Sequence, residues 1–539
     1  MARFPNLRAL GALLLLAAIA YAPALGNPLL FDDEILIAGN DRLALANVPK
    51  LVTPAYFDLF PGQLTSWRPV SVLSYMLNRT LFGDWYPGWR GVYLLMHVAN
   101  AMLLVVLAAR WGMAGPAAMA AGALFLLHPA HTEVFNQVSY NEEPMVTLLA
   151  LLALLALLSL GAPGSRDSVR GGAAAAAAMT LGLGCKESAL MLLPAALAIN
   201  LSAPRRRGWG MPALLAAIAL AYLLLRFRVL TNPVDARQMA LSAGSLADGM
   251  PTLLMLVAIY LGRFLWPVGL SAVHDYRPAG WGDPTVWLGL LIVVALAGAA
   301  VWGILRRRTM TALPAVIFGA SMLPLGYAVL FGGEIYAYDR YLYLPSVGLT
   351  LYLAQGLDAL ARLGPAGRRM ALALPLAAAA AFVPLDWQRD RAWSDPVIFW
   401  EDNVGKAPSN AGAWGALGWV RLGRGEITPA IAAYREAVRL KPDFADARFN
   451  LGLLLARSGD STGAAEQYSL VLETDPSHRA ALLNLAILRY AGGEPAEARR
   501  LAQRLRAVDP SNAGALQLLE MTRGSGAGQA GEDPGPARN

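Results

Sequence analysis

The segment NEEPMVTLLALLALLALLSL, residues 141–160, sets two adjacent acids before an uncharged run that begins at Pro144 and lasts to Leu160. A helix needs about 20 such residues to cross about 30 Å of hydrocarbon, and lipid offers backbone amides no water partner. Helix is therefore the economical state for this run. The pattern recurs in both directions along the chain. Candidate spans fall at 9–25, 89–109, 112–128, 144–160, 171–185, 187–203, 211–229, 250–268, 284–305, 310–331, 341–362 and 369–386. Composition agrees: 56% of the 539 residues are hydrophobic, 15% are charged, and mean hydropathy is +0.44. An ordinary soluble chain carries about 25% charged residues, and globular cores could not hide so much apolar surface. Disorder, collagen and a disulfide scaffold are excluded, because Cys185 is the single cysteine and no Gly-X-Y period exists. The expected fold class is all-α: a polytopic membrane helix bundle of about eleven crossings, followed by a helical solenoid.

Arginine placement orients the bundle. Only Lys50, Lys186, Lys406 and Lys441 are lysines among the 44 basic residues, and the net charge of +7 sits in short clusters between apolar runs. That distribution fits membrane orientation rather than nucleic-acid binding. Arg3 with Arg8, Arg166 with Arg170, Arg205–Arg207, Arg306–Arg308, and Arg362 with Arg368 and Arg369 are assigned to the cytoplasmic side. The alternation holds as far as Arg207. Three candidate spans then separate Arg207 from Arg306, so one of the three is not a simple crossing. The run at 250–268, interrupted by Arg263 and Pro267, is read as a re-entrant or interfacial helix. The N-terminus is then cytoplasmic, the first external loop is 26–88, and the C-terminal region is external. Arg3, Arg8, an apolar stretch and Ala24-Leu25-Gly26 leave a cleaved signal peptide as the alternative for the first span.

Beyond residue 400 a period of 34 appears. Pro408, Pro442, Pro476 and Pro510 follow it, as do Leu417/Leu451/Leu485, Gly425/Gly459/Gly493 and Ala430/Ala464/Ala498. Gly418, Gly452 and Ala486 form a further column, and Tyr434 and Tyr468 another. Small residues where paired helices cross, with Pro ending the second helix, are the tetratricopeptide signature. The chain is thus divided into a membrane part at 1–386 and a connector with a partial repeat at 387–410, in which Trp400 takes the large aromatic position. Repeats follow at 411–444, 445–478 and 479–512. A cap helix at 513–523 and a disordered tail at 524–539 end the chain. Stacked helix pairs offer a concave surface for an extended peptide, and a purely structural cap is the alternative.

The ionisable residues outside the repeats collect at span junctions on the external side. Asp32-Asp33-Glu34 opens the first external loop, either as a helix cap or as a carboxylate base toward a hydroxyl acceptor. Ser66-Trp67-Arg68-Pro69 anchors an amphipathic run at headgroup depth. His128-Pro129-Ala130-His131-Thr132-Glu133 offers two imidazoles and an acid. Pro129 breaks their helical presentation, so hydrogen bonding and substrate contact stand ahead of metal ligation. Cys185-Lys186-Glu187 wedges a charged pair between apolar runs, as an internal ion pair or with Lys186 on a phosphate. Tyr338-Asp339-Arg340-Tyr341 surrounds a permanent forked cation with aromatic rings, a credible anion site. His274-Asp275-Tyr276 joins the same face. Acids together with Lys and Arg at one membrane surface fit chemistry on a lipid-linked phosphate.

The ordered set Phe31-Asp32-Asp33, Ser66-Trp67-Arg68-Pro69, His128-Pro129-x-His131-Thr132-Glu133, Lys186-Glu187 and Asp339-Arg340-Tyr341-Leu342-Tyr343-Leu344-Pro345-Ser346, ending in tetratricopeptide repeats, resembles one family across most of residues 9–512. It looks like the transmembrane-and-tetratricopeptide-repeat O-mannosyltransferases and their bacterial relatives, within the GT-C glycosyltransferase superfamily. The resemblance implies a polyprenyl-phosphate sugar donor, a hydroxyl acceptor outside the cytosol, and inversion at the anomeric carbon. It implies Asp32 and Asp33 as the catalytic acids, with Arg340, Lys186 and Arg68 on the donor phosphate. His128, His131, Glu133, Glu142, Glu187, Tyr338 and Asp339 are the substrate-binding candidates. No metal ligand set or further cofactor is indicated, since the lipid-linked sugar phosphate is itself a substrate. Where relatives often carry Gly-Arg-Ala/Asn-Asp, this chain has Tyr140-Asn141-Glu142-Glu143, which removes a positive charge, adds a negative one, and leaves the sugar open between mannose and another hexose or pentose. The expected partners are membrane lipid, the lipid-linked sugar, and an acceptor protein or peptide at the repeats. The Arg and Ala bias of a GC-rich bacterial genome points to the inner membrane, with the repeats periplasmic. A non-catalytic scaffold for envelope assembly and a carrier for lipid-linked sugars are the competing readings.

Overall fold

A computed structural model describes residues 7–60, 67–160, 165–203, 208–228, 246–274, 276, 278–323, 325 and 338–523. Ser66, Arg205–Arg207, Asp275 and the tail at 524–539 lie outside the described residues. The chain divides into two compact units, Met1–Phe399 and Trp400–Asn539.

The first unit is helical, and every expected span meets a helix wherever residues are described. Tyr86–Arg110, Val138–Leu158, Asp248–Leu265, Pro284–Leu305 and Pro365–Ala392 are long and apolar enough to cross a membrane, and shorter apolar helices accompany them. Some expected runs are divided rather than continuous. The run at 187–203, for instance, opens with the 3₁₀ turn Glu187–Met191 and continues as Leu192–Ser202. The last apolar run extends past its expected end at 386, as one helix to Ala392. Leu7–Tyr21 is an integral packing element: it buries Leu13, Ala17 and Ala20, and its Tyr21 hydroxyl donates to Leu126 O at 2.6 Å.

The helix Leu246–Leu265 is continuous through Pro251 inside it and has Arg263 in its last turn. Arg263 therefore does not interrupt the run, whereas the helix does stop before Pro267; it is long and apolar enough to cross. It is attached at both ends: Thr252 Oγ1 accepts from Ala279 N at 2.9 Å, and Arg263 pairs with Asp339 at 2.9 Å.

Close approach between helices depends on glycine, as expected where lipid removes the hydrophobic drive for helix association. A Cβ on Gly348, in Tyr343–Arg362, would meet Pro314 O at 2.3 Å in Thr309–Ser321. Gly348→Leu must force these two helices apart. We expect a loss of about 1–3 kcal/mol, the usual cost of overpacking, read as a lowered Tm in detergent. An unchanged Tm would show that the contact is dispensable.

The second unit stacks Ala411–Gly423 on Ile427–Leu440, Ala445–Arg457 on Ser461–Thr474, and Arg479–Ala491 on Pro495–Val508, with Ala513–Met521 after them. The sequence columns now have physical causes. Gly425, Gly459 and Gly493 hold φ of +77°, +90° and +79° at the turn inside each pair, a region L side chains avoid. A Cβ on Gly418 would lie 2.9 Å from the Tyr434 ring, and one on Gly452 2.8 Å from Tyr468, so small residue and aromatic ring vary together. Ala430, Ala464 and Ala498 are fully buried between the paired helices.

Candidate functional site

The short helix Asp32–Leu36 carries the first adjacent acids. Phe31 adopts φ 57° and ψ −122°, a conformation costly for a side-chain-bearing residue, and so turns the chain sharply into Asp32–Leu36. The two acids that follow point to different places. Asp33 is fully buried and accepts from Val138 N and Ser139 N, each at 2.8 Å. Asp32 lines a cavity of about 240 Å³ and accepts from the Tyr140 hydroxyl at 2.8 Å. Successive residues on a helix differ by about 100°, so the paired acids cannot share one task.

The cavity is also lined by Arg68, Glu142, Lys186, Arg340 and Tyr341. These arrive from four distant stretches of chain. Arg68 stands at the start of Pro69–Phe82, its backbone N–H donating to the Tyr56 hydroxyl at 3.1 Å. Lys186 precedes the Glu187–Met191 turn, and Arg340 sits in the turn Asp339–Leu342. Each cation has a carboxylate: Arg68 with Glu142 at 2.7 Å, Lys186 with Glu143, and Arg340 Nη1 with Glu133 at 2.6 Å. Glu187 pairs with Arg226 and lies 3.7 Å from Arg68. The Arg340 guanidinium is further held between the rings of Tyr140 (3.8 Å) and Tyr338 (3.7 Å). Lys186 Nζ stands 4.7 Å over the Tyr341 ring. Asp32 has no ion-pair partner among the described residues, which separates it from the glutamates around it. The extra negative charge in Tyr140-Asn141-Glu142-Glu143 thus falls on Arg68 and Lys186.

Several expected substrate contacts are absent from the cavity. His128 and His131 are buried, and their ring nitrogens are taken: His128 by Phe264 O at 3.0 Å and Ala130 N at 3.2 Å, His131 by Phe125 O at 2.9 Å and Ser346 Oγ at 3.1 Å. Both rings pack within the junction. Glu133 reaches the cavity only through Arg340, and Glu187 only through Arg68 and Arg226. Asp339 is buried, accepting from Ser271 N at 2.7 Å and facing Arg263, His274 and Arg389. Burial opposes its ionisation, yet these partners hold its carboxyl well below the usual range. It ties Ser271 and His274 to the turn that carries Arg340.

Arg90 escaped the sequence reading altogether. It is 1% exposed inside Tyr86–Arg110, and it donates to the carbonyls of Leu25, Asn27, Pro28, Phe135 and Asn136. One guanidinium thereby clamps the 25–28 segment to the 135–136 segment. An arginine in an apolar run is the signal that could have found it.

Burial raises the Asp33 carboxyl to about 6, against the opposing bonds from Ser139 and Val138 and the nearby Arg90 charge. A raised carboxylate binds more protons folded than unfolded, so stability rises as pH falls through about 6 toward 4 and is lost on returning to neutrality. The contribution is on the order of 3 kcal/mol. Thermal unfolding in detergent between pH 7.5 and 4.5 should show this increment in the parent chain and a flatter profile in Asp33→Asn. Identical profiles would remove Asp33 as its source.

This is an all-helical, membrane-type bundle with a carboxylate-and-cation cavity, in a chain that also carries a helical-repeat unit. Tetratricopeptide-repeat family models match residues 416–479 and 455–521. The chain is similar to the Drosophila melanogaster protein O-mannosyl-transferases Tmtc1 and Tmtc2. Identity to Tmtc1 is 30% over 122 residues, covering 22% of this chain and 14% of that protein. Identity to Tmtc2 is 36% over 128 residues, covering 22% of this chain and 13% of that protein. The match thus spans a small fraction of either relative's length. Among solved structures, ArnT from Cupriavidus metallidurans bound to undecaprenyl phosphate aligns at TM-score 0.38 and 17% identity, over 92% of this chain and 80% of that one.

Proposed function

We propose that this chain is an integral-membrane glycosyltransferase that moves a sugar from a polyprenyl-phosphate donor to a hydroxyl acceptor, a protein or peptide, on the external face of the inner membrane. The observation that carries the proposal is the single cavity lined by Asp32 together with Arg68, Lys186 and Arg340. Asp32, the acid there without an ion pair, takes the proton of the acceptor hydroxyl as its oxygen attacks the anomeric carbon. The bond from that carbon to the phosphate oxygen breaks on the opposite face, and the electron pair leaves on the lipid phosphate. The sugar inverts, and the departing phosphate gains a negative charge. Arg340, Lys186 and Arg68 stand where that charge grows, and stabilising it lowers the barrier. Asp33 orients the segment that holds Asp32. The repeats, on the same external side, present the acceptor or a partner.

The purified chain in lipid nanodiscs should be incubated with a panel of polyprenyl-phosphate sugars and serine- or threonine-bearing peptides. Release of polyprenyl phosphate coupled to a glycosylated peptide is the expected result, and it also names the sugar. Consumption of no donor would overturn the proposal. So would transport of donor across vesicles without a new glycosidic bond, which a carrier would give.

A further inference from the structure

Tyr140 joins the carboxylate and the cation of the proposed reaction. Its hydroxyl donates to Asp32 at 2.8 Å, and its ring covers the Arg340 guanidinium at 3.8 Å. It also lines the cavity while remaining 4% exposed. The residues on either side fix its place. Gln137 Nε2 donates to Leu30 O at 2.7 Å, the amides of Val138 and Ser139 hold Asp33, and Ser139 O accepts from the Tyr75 hydroxyl at 2.5 Å. Glu142 and Glu143 then engage Arg68 and Lys186. The ring therefore has little freedom to leave either contact.

We infer that Tyr140 is a positioning residue with two separable effects. Its O–H aims the Asp32 carboxylate at the acceptor, and its ring holds Arg340 against the donor phosphate. A charged-group hydrogen bond restricts which carboxylate oxygen faces the cavity, while the ring face adds a directional, poorly hydrated contact for a cation. The two effects act on different substrates. Removing the hydroxyl touches the step in which the acceptor is activated, and removing the ring also touches donor binding. The inference rests on the function proposed above.

The test compares Tyr140→Phe and Tyr140→Leu in the full chain, in nanodiscs, with kcat and donor KM measured beside a Tm for each variant. Tyr140→Phe should lower kcat by about tenfold or more while donor KM stays within about twofold. Tyr140→Leu should lower kcat similarly and raise donor KM by about fivefold. A residue that merely supports the fold would lower Tm and active fraction in both variants without splitting the two constants. Active parent protein with an unaffected Tyr140→Phe, or two variants with the same kcat and KM changes, would overturn the inference alone. A parent protein that transfers no sugar would overturn the glycosyltransferase reading itself.

Discussion

Asp32→Asn is expected to abolish sugar transfer, lowering kcat by about a hundredfold to ten-thousandfold, the usual contribution of a positioned general base. The amide keeps the shape of the side chain, and its oxygen can still accept from the Tyr140 hydroxyl, which stands 2.8 Å from the native carboxylate. Donor binding should therefore survive. Affinity for polyprenyl phosphate, measured beside the loss of turnover, separates lost proton transfer from a collapsed site. Asp33→Asn should behave differently. It replaces a buried carboxylate whose two oxygens each take a backbone N–H, so its first effect is on stability and its pH profile, with activity lost only as far as the fold loosens. If Asp32→Asn retains turnover, the base is elsewhere. If it also leaves the cellular phenotype intact while deletion of the repeats abolishes it, the chain is an assembly scaffold.

The second large effect is expected at Arg340. Arg340→Met removes the cation and leaves Glu133, 1% exposed, without its ion pair. Stranding a buried carboxylate costs about 3–5 kcal/mol, so this variant should express poorly and melt early. Pairing it with Glu133→Gln removes the orphaned charge, and the double variant should recover most of the lost Tm. It should not recover transfer, because the charge facing the leaving phosphate is gone, a deficit of about a hundredfold or more. Arg340→Lys is expected to rescue poorly as well. A lysine cannot reproduce a flat guanidinium held between the rings of Tyr140 and Tyr338 while its Nη1 also pairs with Glu133. Restored transfer in the double variant would show that Arg340 is structural only.

The helical runs were legible because their cause is local. Uncharged stretches of spanning length have one backbone solution in lipid, and a spacing of 34 survives because Gly425, Gly459 and Gly493 each occupy a turn closed to other residues. The candidate site was legible in part. Acids and cations stranded at span junctions are costly unless they meet, and Asp32, Arg68, Glu142, Lys186 and Arg340 do meet around one cavity. The same argument selected His128, His131 and Asp339, which are absorbed by carbonyls, a hydroxyl and arginines behind the cavity wall. Both groups are polar side chains at span junctions, so their position in the chain does not separate them.

What the sequence determined by itself was the class of structure and the inventory of charge at the span junctions, since hydropathy and repeat spacing act on neighbouring residues or at fixed intervals. Tertiary structure alone decided which acid faces the cavity, which glutamate neutralises which cation, and that Tyr140 lies between Asp32 and Arg340. Those pairings join residues up to 207 positions apart, as in Arg340 with Glu133. They depend on the angle at which helices pack and on a strained turn at Phe31, and neither leaves a periodic trace in the chain.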